Sequence, residues 1–184
     1  MSVRTRMIRH MKNPSQRPAF LHSNRLCLRP FEMRDAERLA RITNDPLVTR
    51  NLLKTTTPFT IDDARQRILR LRKRNSPVWA IDNGQLIGLI GIAGEFGYWL
   101  ARSAWGKGYA TEAARLVIDH AFEGLGFETL HANPIADNKP SRRLLEKLGF
   151  KQYGRAIAFC RERRKTVTLV RYRCEGNQHS DDEH

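Results

Sequence analysis

Hydrophobic and polar positions change period several times along this chain, and each change marks an element. Leu26 and Leu28 alternate with Arg25, Cys27 and Arg29 ahead of Pro30, the two-residue period of a half-buried strand ended by proline. In MRDAERLARIT the residues Ala36, Leu39, Ala40 and Thr43 share one side of a short amphipathic helix. FTIDDARQRILRLRKR predicts a second helix with Thr60 as N-cap, acids in its first turn and the cations Arg70 to Arg74 at the end that suits them. Three strand patterns follow, PVWAID, QLIGLIGIA and EFGYWLA, joined by a hairpin signal at Asn83-Gly84 and a minimal turn at Ala93-Gly94, so an antiparallel meander is expected. In YATEAARLVIDHAF, Ala110, Ala113, Ala114, Val117, Ile118 and Ala121 recur with helical spacing. ETLHANP predicts a short fifth strand. NKPSRRLLEKLGF predicts a helix with Asn138 as N-cap, Leu144, Leu145 and Leu148 inward, and Gly149 just past its end. KQYGRAIAF and KTVTLVRYRC predict a closing hairpin.

This order of elements is that of a mixed α/β domain. A chain of 184 residues with 40% hydrophobic content is long enough for a single core. The expected division is a basic, flexible segment over residues 1–21, one domain over 22–174, and a polar, disordered tail over 175–184. No apolar run reaches about eighteen residues, so no membrane span is expected. Cys27, Cys160 and Cys174 form no CxxC motif and no Cys/His cluster, which fits a reducing, cytoplasmic setting and argues against a bound metal.

Charge adds a second theme. The net charge is +14, and residues 1–75 hold 18 Lys and Arg against 6 Asp and Glu. The first 24 residues carry five cations and no acid. Such a field attracts polyanions, so nucleic acid or a ribosome is a candidate partner, as is an acidic ligand. A solvated tail and an organellar presequence are the alternatives. The basic segments lack interleaved aromatics, and no helix-turn-helix or RNA-binding signature is present.

Chemistry is suggested first by SAWGKG, between a strand and a helix. Glycines on both sides of Lys107 leave backbone amides accessible, and the helix start adds partial positive charge, a combination that suits a phosphate. A Walker A loop would need glycine where Ala101 stands and Ser or Thr at Gly108; a dinucleotide fingerprint would need glycine at Thr111. A plain tight turn is the alternative reading.

GYWLARSAWGKGYATEA, followed by IADNKPSRRLLEKLGFKQYG, resembles the GNAT superfamily of N-acetyltransferases and in particular its RimJ/RimL-type branch. The likeness extends back through LCLRPFEMRDAERLARI and TPFTIDDA, covering about residues 22–174. It implies the GNAT fold, a central, splayed, mostly antiparallel sheet flanked by about four helices, with acetyl-CoA bound as co-substrate between the fourth and fifth strands. By that likeness Ser103, Ala104, Trp105, Gly106, Lys107 and Gly108 hold the pyrophosphate, with Tyr109, Ala110 and Thr111 opening the helix behind it. The main chain of Tyr98, Trp99 and Leu100 pairs with the pantetheine arm, and Asn138 and Ser141 also face the cofactor.

The reaction needs an amine beside a thioester, a donor for the oxyanion, a base and a source of a proton for the thiolate. A strand amide near Trp99 or Leu100 suits the oxyanion. Glu95, expected on the fourth strand, is the candidate base, directly or through water; a surface strand residue is the other reading. Where many superfamily members carry an acidic tyrosine, this chain has Leu145, and the nearest hydroxyl is Ser141, which serves either as the acid or as a partner of its own helix start. Glu112 suits the helix N-terminus, and His131 a structural place in its strand. Three functions remain: an acetyl-CoA-dependent N-acetyltransferase acting on a protein N-terminus, ribosomal in type, or on a small amine; a non-catalytic acyl-CoA-binding module; and a nucleic-acid binder. A monomer or a homodimer is expected. Acceptor choice is assigned to the first two helices, the loop NDPLVTRNLLKTTTP and the final hairpin.

Overall fold

The computed structural model describes residues 19–74 and 76–176, so most of the basic first segment and of the polar tail lies outside the described residues. The elements run β1 (Leu21–His22), β2 (Cys27–Arg29), α1 (Ala36–Thr43), α2 (Pro46–Thr49), α3 (Ile61–Lys73), β3 (Val78–Asp82), β4 (Leu86–Ile92), β5 (Phe96–Leu100), α4 (Tyr109–Asp119), β6 (Thr129–Ala132), α5 (Lys139–Lys147), β7 (Lys151–Cys160) and β8 (Lys165–Glu175). Strands β1 to β5 form one antiparallel sheet in sequence order, and β6, β8 and β7 form a second. The splay lies between β5 and β6, which are in different sheets.

Both faces of the first sheet are covered. On one, Trp79, Ile81, Ile90 and Phe96 pack with Ala113, Ala114 and Val117 of α4. On the other, Val78, Ala80, Leu89 and Trp99 pack with Leu39 of α1 and Ala64 and Ile68 of α3. Strand β4 is buried along its whole length, which is why its sequence is a continuous apolar run rather than an alternation. Its register against β3 shifts by one residue beside Ile81 and Asp82, so Ile87 and Ile90, three apart, pack into the same core. The expected two-residue hairpin at Asn83-Gly84 is a three-residue loop, since Asp82 pairs with Leu86.

The helix starts obey their sequence signals. Thr60 accepts from the amide of Asp63 while the Asp63 carboxylate accepts from the amide of Thr60, a reciprocal cap. Asn138 accepts from the amide of Ser141 at 3.3 Å, and Gly149 takes a left-handed φ of 86° at the other end of α5. Two features were not legible beforehand. The chain makes the four-residue α2 inside the presumed loop, capped by Asp45 with Pro46 in its first turn. Arg29, expected on the polar side of its strand, is 7% exposed because it reaches both Asp35 and Asp82; the ion pairs compensate its burial and hold its charged form.

Candidate active site

The splay between β5 and β6 opens into a cavity of about 1000 Å³ that runs from the loop before α4 to the segment between α1 and α3. One edge of β5 pairs with β4, matching Tyr98 to Ile90, Trp99 to Leu89 and Leu100 to Gly88; the other faces the gap. On that second edge the Leu100 carbonyl accepts from the indole of Trp105 at 2.9 Å, which fixes the start of the loop.

The loop itself is built around two left-handed glycines. Gly106 has φ 73° and Gly108 φ 81°, a region that L side chains seldom enter. Arg102 to Ala104 forms a single tight turn, and Gly108 is the N-cap of α4, with no side-chain cap. Among the described residues, the amides from Gly106 to Thr111 find no acceptor. Six consecutive open amides therefore lie at the start of a helix, the positive end of its dipole. Ala104, Trp105, Gly106, Gly108, Tyr109, Ala110 and Thr111 line the cavity, whereas Ser103 and Lys107 do not.

A clamp from the N-terminal side holds this loop. The Ser23 hydroxyl and the Arg25 Nε donate to Glu112 at 2.6 and 2.8 Å, and Arg25 also donates to the Lys107 carbonyl at 3.0 Å. The Arg25 guanidinium lies 4.8 Å from the centre of the Tyr109 ring. Burial pushes the Glu112 carboxyl up, but the Ser23 hydroxyl and Arg25 outweigh it and hold the carboxyl below the usual glutamate range. Glu112 thus does more than face the helix dipole; it joins the turn between β1 and β2 to α4.

Tyr98 and Ser141 meet across the cavity. The phenol donates to the Ser141 hydroxyl at 3.4 Å, a loose pairing, and burial raises the phenol pKa. Ser141 therefore turns its hydroxyl toward β5 rather than bonding back to its own helix start; only its amide serves the cap. Leu145 is buried at 2% exposure in the cavity wall and the α4-side core, where an apolar side chain fits. The phenol beside Ser141 is that of Tyr98, on the strand opposite. Sequence reasoning assigned Tyr98 through its main chain alone; the signal for its side chain was the alternation that puts Phe96, Tyr98 and Leu100 on one face.

Glu95 is on the turn before β5, not on the strand, because β4 and β5 are joined by Ala93–Glu95 with Ile92 paired to Phe96. Its carboxylate accepts from the Asn133 amide at 2.6 Å, a bond that spans the splay. Both residues line the cavity. A carboxylate accepts only, so Asn133 presents its nitrogen there, and among the described residues its buried Oδ1 finds no partner, nor does Trp99 Nε1. His131 lies outside the cavity lining, its Nδ1 3.2 Å from the Tyr153 hydroxyl, as a structural role would have it. No group of three or more His, Cys, Asp or Glu that could hold a metal occurs among the described residues.

The third wall comes from the segment after α2, which the turn between β7 and β8 braces from outside the lining. Arg163 in that turn donates to both carboxylate oxygens of Asp137, to the Arg50 carbonyl and to Asn51. Asp137 is held below the usual aspartate range by the Arg163 guanidinium. Glu162 accepts from the Thr57 amide and hydroxyl. One turn thereby ties the loop 50–57 to the loop before α5.

Residues 25–151 match the model of the acetyltransferase (GNAT) domain. The chain is 33% identical over 150 residues to the uncharacterized N-acetyltransferase p20 of Bacillus licheniformis, a match covering 73% of this chain and 83% of that protein. In fold it is similar to the ribosomal-protein-S5-alanine acetyltransferase of Vibrio fischeri, with a TM-score of 0.76 at 20% identity over 87% of this chain and 98% of the other. It is similar in the same way to the microcin C7 self-immunity acetyltransferase MccE, solved in complex with acetyl-CoA and AMP, with a TM-score of 0.71 at 18% identity over 84% and 94% of the two chains. With a matching domain model, a matching splay and a glycine loop that leaves six amides open at a helix start, this chain belongs to the GNAT acetyltransferases and is an acetyl-CoA-dependent N-acetyltransferase.

Proposed function

We propose that the chain moves the acetyl group of acetyl-CoA to a primary amine that enters from the α1–α3 side, either a protein N-terminus of the ribosomal-protein type or a small molecule. The observation that carries this reading is the row of amides from Gly106 to Thr111 that have no acceptor among the described residues, at a helix start, which suits a pyrophosphate. The free edge of β5 along Tyr98, Trp99 and Leu100 is the place for the pantetheine arm, paired like an added strand. When bound, acetyl-CoA supplies the thioester. A main-chain amide near Trp99 or Leu100 faces the developing oxyanion, and the closeness of amine and thioester supplies much of the acceleration.

Glu95, anchored by Asn133, takes the proton of the ammonium directly or through water. Ser141 delivers a proton to the departing sulfur; because its oxygen accepts from Tyr98, its own hydrogen is free to point into the cavity. Tyr98 and Ser141 thus do from two elements what a single tyrosine does elsewhere in the superfamily. The three cysteines are free, which fits a cytoplasmic setting. Intact-mass analysis of candidate peptides and small amines after incubation with acetyl-CoA, run beside a thiol-release assay, tests the reading. Acetyl addition that requires Gly108 supports it; acetyl-CoA binding without transfer to any amine would assign the chain to a non-catalytic acyl-CoA module.

A further inference from the structure

The acceptor half of the cavity carries a charge pattern that the acetyltransferase reading alone does not explain. Its wall from Leu47 to Thr55, together with α3, contributes Arg50, Lys54 and Arg67 and no carboxylate. The two acids elsewhere in the lining are engaged: Asp137 by both guanidinium nitrogens of Arg163, Glu95 by Asn133. Arg67 stands apart among these cations. It is half-buried on α3, and among the described residues it donates to no carboxylate, carbonyl or hydroxyl. Burial, and then the neighbouring Arg70, pushes its pKa down, so its charge is disfavoured where it stands. A desolvated guanidinium is normally matched by an anion, and its planar fork suits a carboxylate or a phosphate. Arg67 also lies across the sheet from the amides of Gly106 to Thr111, since α3 packs on the face that holds Trp99 whereas α4 packs on the other.

We infer that the acceptor of this enzyme is an amine that itself carries a carboxylate or phosphate, and that Arg67, with Arg50 and Lys54 at the rim, binds that anion while the amine faces Glu95. The inference rests on the acetyltransferase reading of the same cavity and narrows it. A polyamine would bring a second cation to a wall that already holds three. An acidic N-terminal peptide or an amino acid would bring charge of the right sign at both ends.

The test uses matched pairs: the C-terminally amidated peptides Ala-Asp-Glu-Phe and Ala-Asn-Gln-Phe, and phosphoethanolamine with ethanolamine. Binding is measured by calorimetry on full-length protein saturated with CoA, and transfer by CoA release with acetyl-CoA. The anionic member of at least one pair is expected to bind and react about tenfold better, which also says whether the source is a peptide or a small amine. In Arg67→Gln the gap should shrink below about threefold while acetyl-CoA affinity holds, and Arg67→Lys should restore part of it. Equal binding of both members in both pairs, or no binding of any, would overturn the inference while acetyl-CoA binding persists. A loss of acetyl-CoA affinity in Arg67→Gln with the preference intact would overturn it too, by assigning Arg67 to the cofactor. Failure of the unmodified protein to bind acetyl-CoA would remove the acetyltransferase reading and this inference together.

Discussion

Tyr98 on β5 and Ser141 on α5 join hydroxyls across the splay at 3.4 Å, although 43 residues separate them in sequence. The order of donation matters: the phenol gives its hydrogen to the serine, so the serine can give its own onward. Ser141→Ala is expected to lower kcat by about 10- to 100-fold with acetyl-CoA affinity nearly kept. Tyr98→Phe should cost less, roughly fivefold, the value of about 1 kcal/mol for one modest hydrogen bond. Because burial raises the Tyr98 pKa, the neutral phenol persists through the neutral range, and any contribution it makes to stability is complete below about pH 10 and lost as pH climbs through the higher folded value. Single-turnover kinetics at saturating acetyl-CoA check the first two statements. Unchanged kcat in Ser141→Ala would assign the proton to solvent.

Gly108→Val should abolish acetyl-CoA binding, with the dissociation constant rising about 100-fold or more. Valine is strained at φ 81°, and its Cβ would stand 3.4 Å from the Arg25 guanidinium, ordinary contact that does not itself unfold the domain. Calorimetry and a melting curve on the same sample separate lost binding from lost fold. Undiminished affinity would remove the phosphate-loop reading.

The clamp at Glu112 has an acid signature. Its carboxyl is held below the usual range by Ser23 and Arg25, so the stability it contributes is present above the unfolded value of about 4.3 and is lost as pH falls through the lower folded one. Arg25→Ala lacks that increment. The Tm difference between the two proteins is therefore expected to stay constant above about pH 5 and to narrow below about pH 4. A difference that is flat down to pH 3 would mean that the ion pair contributes nothing.

Arg163 is 11% exposed at its side chain and bonds to three residues in two segments, so Arg163→Ala should lower stability by about 1.5–3 kcal/mol. Its second effect is kinetic. With the loop 50–57 released, KM for the acceptor should rise several-fold while the dissociation constant of acetyl-CoA stays put, because the glycine loop lies elsewhere. Equal changes in both constants would show that the turn supports the whole cavity.

Local signals carried much of this site. The cap at Asn138, the helix of Tyr109 and the left-handed need at Gly108 are written in neighbouring residues, where turn and cap chemistry act. What escaped was long-range. Glu95 is three residues from Ile92, yet whether a turn takes two residues or three depends on register against β4, which no short window contains. The Tyr98–Ser141 pair, the Arg25–Glu112 clamp and the burial of Arg29 each join residues whose meeting depends on tertiary packing. The cationic wall around Arg67 was hidden for the same reason: the run Arg70 to Arg74 at the helix end draws the eye, while Arg67 lies three residues earlier and lines the cavity.

The gap between β5 and β6 also makes ligand concentration a folding variable. Each half of the molecule ends there on a strand edge without a backbone partner from the other, so a ligand that bridges them adds contacts that the unfolded chain cannot make. At one hundred times its dissociation constant such a ligand stabilises the native state by about 2.7 kcal/mol. For a domain of this size that is a rise in Tm of roughly 5–10 °C. The supply of CoA in the surrounding solution would then set how much heat the protein withstands, as well as how fast it works.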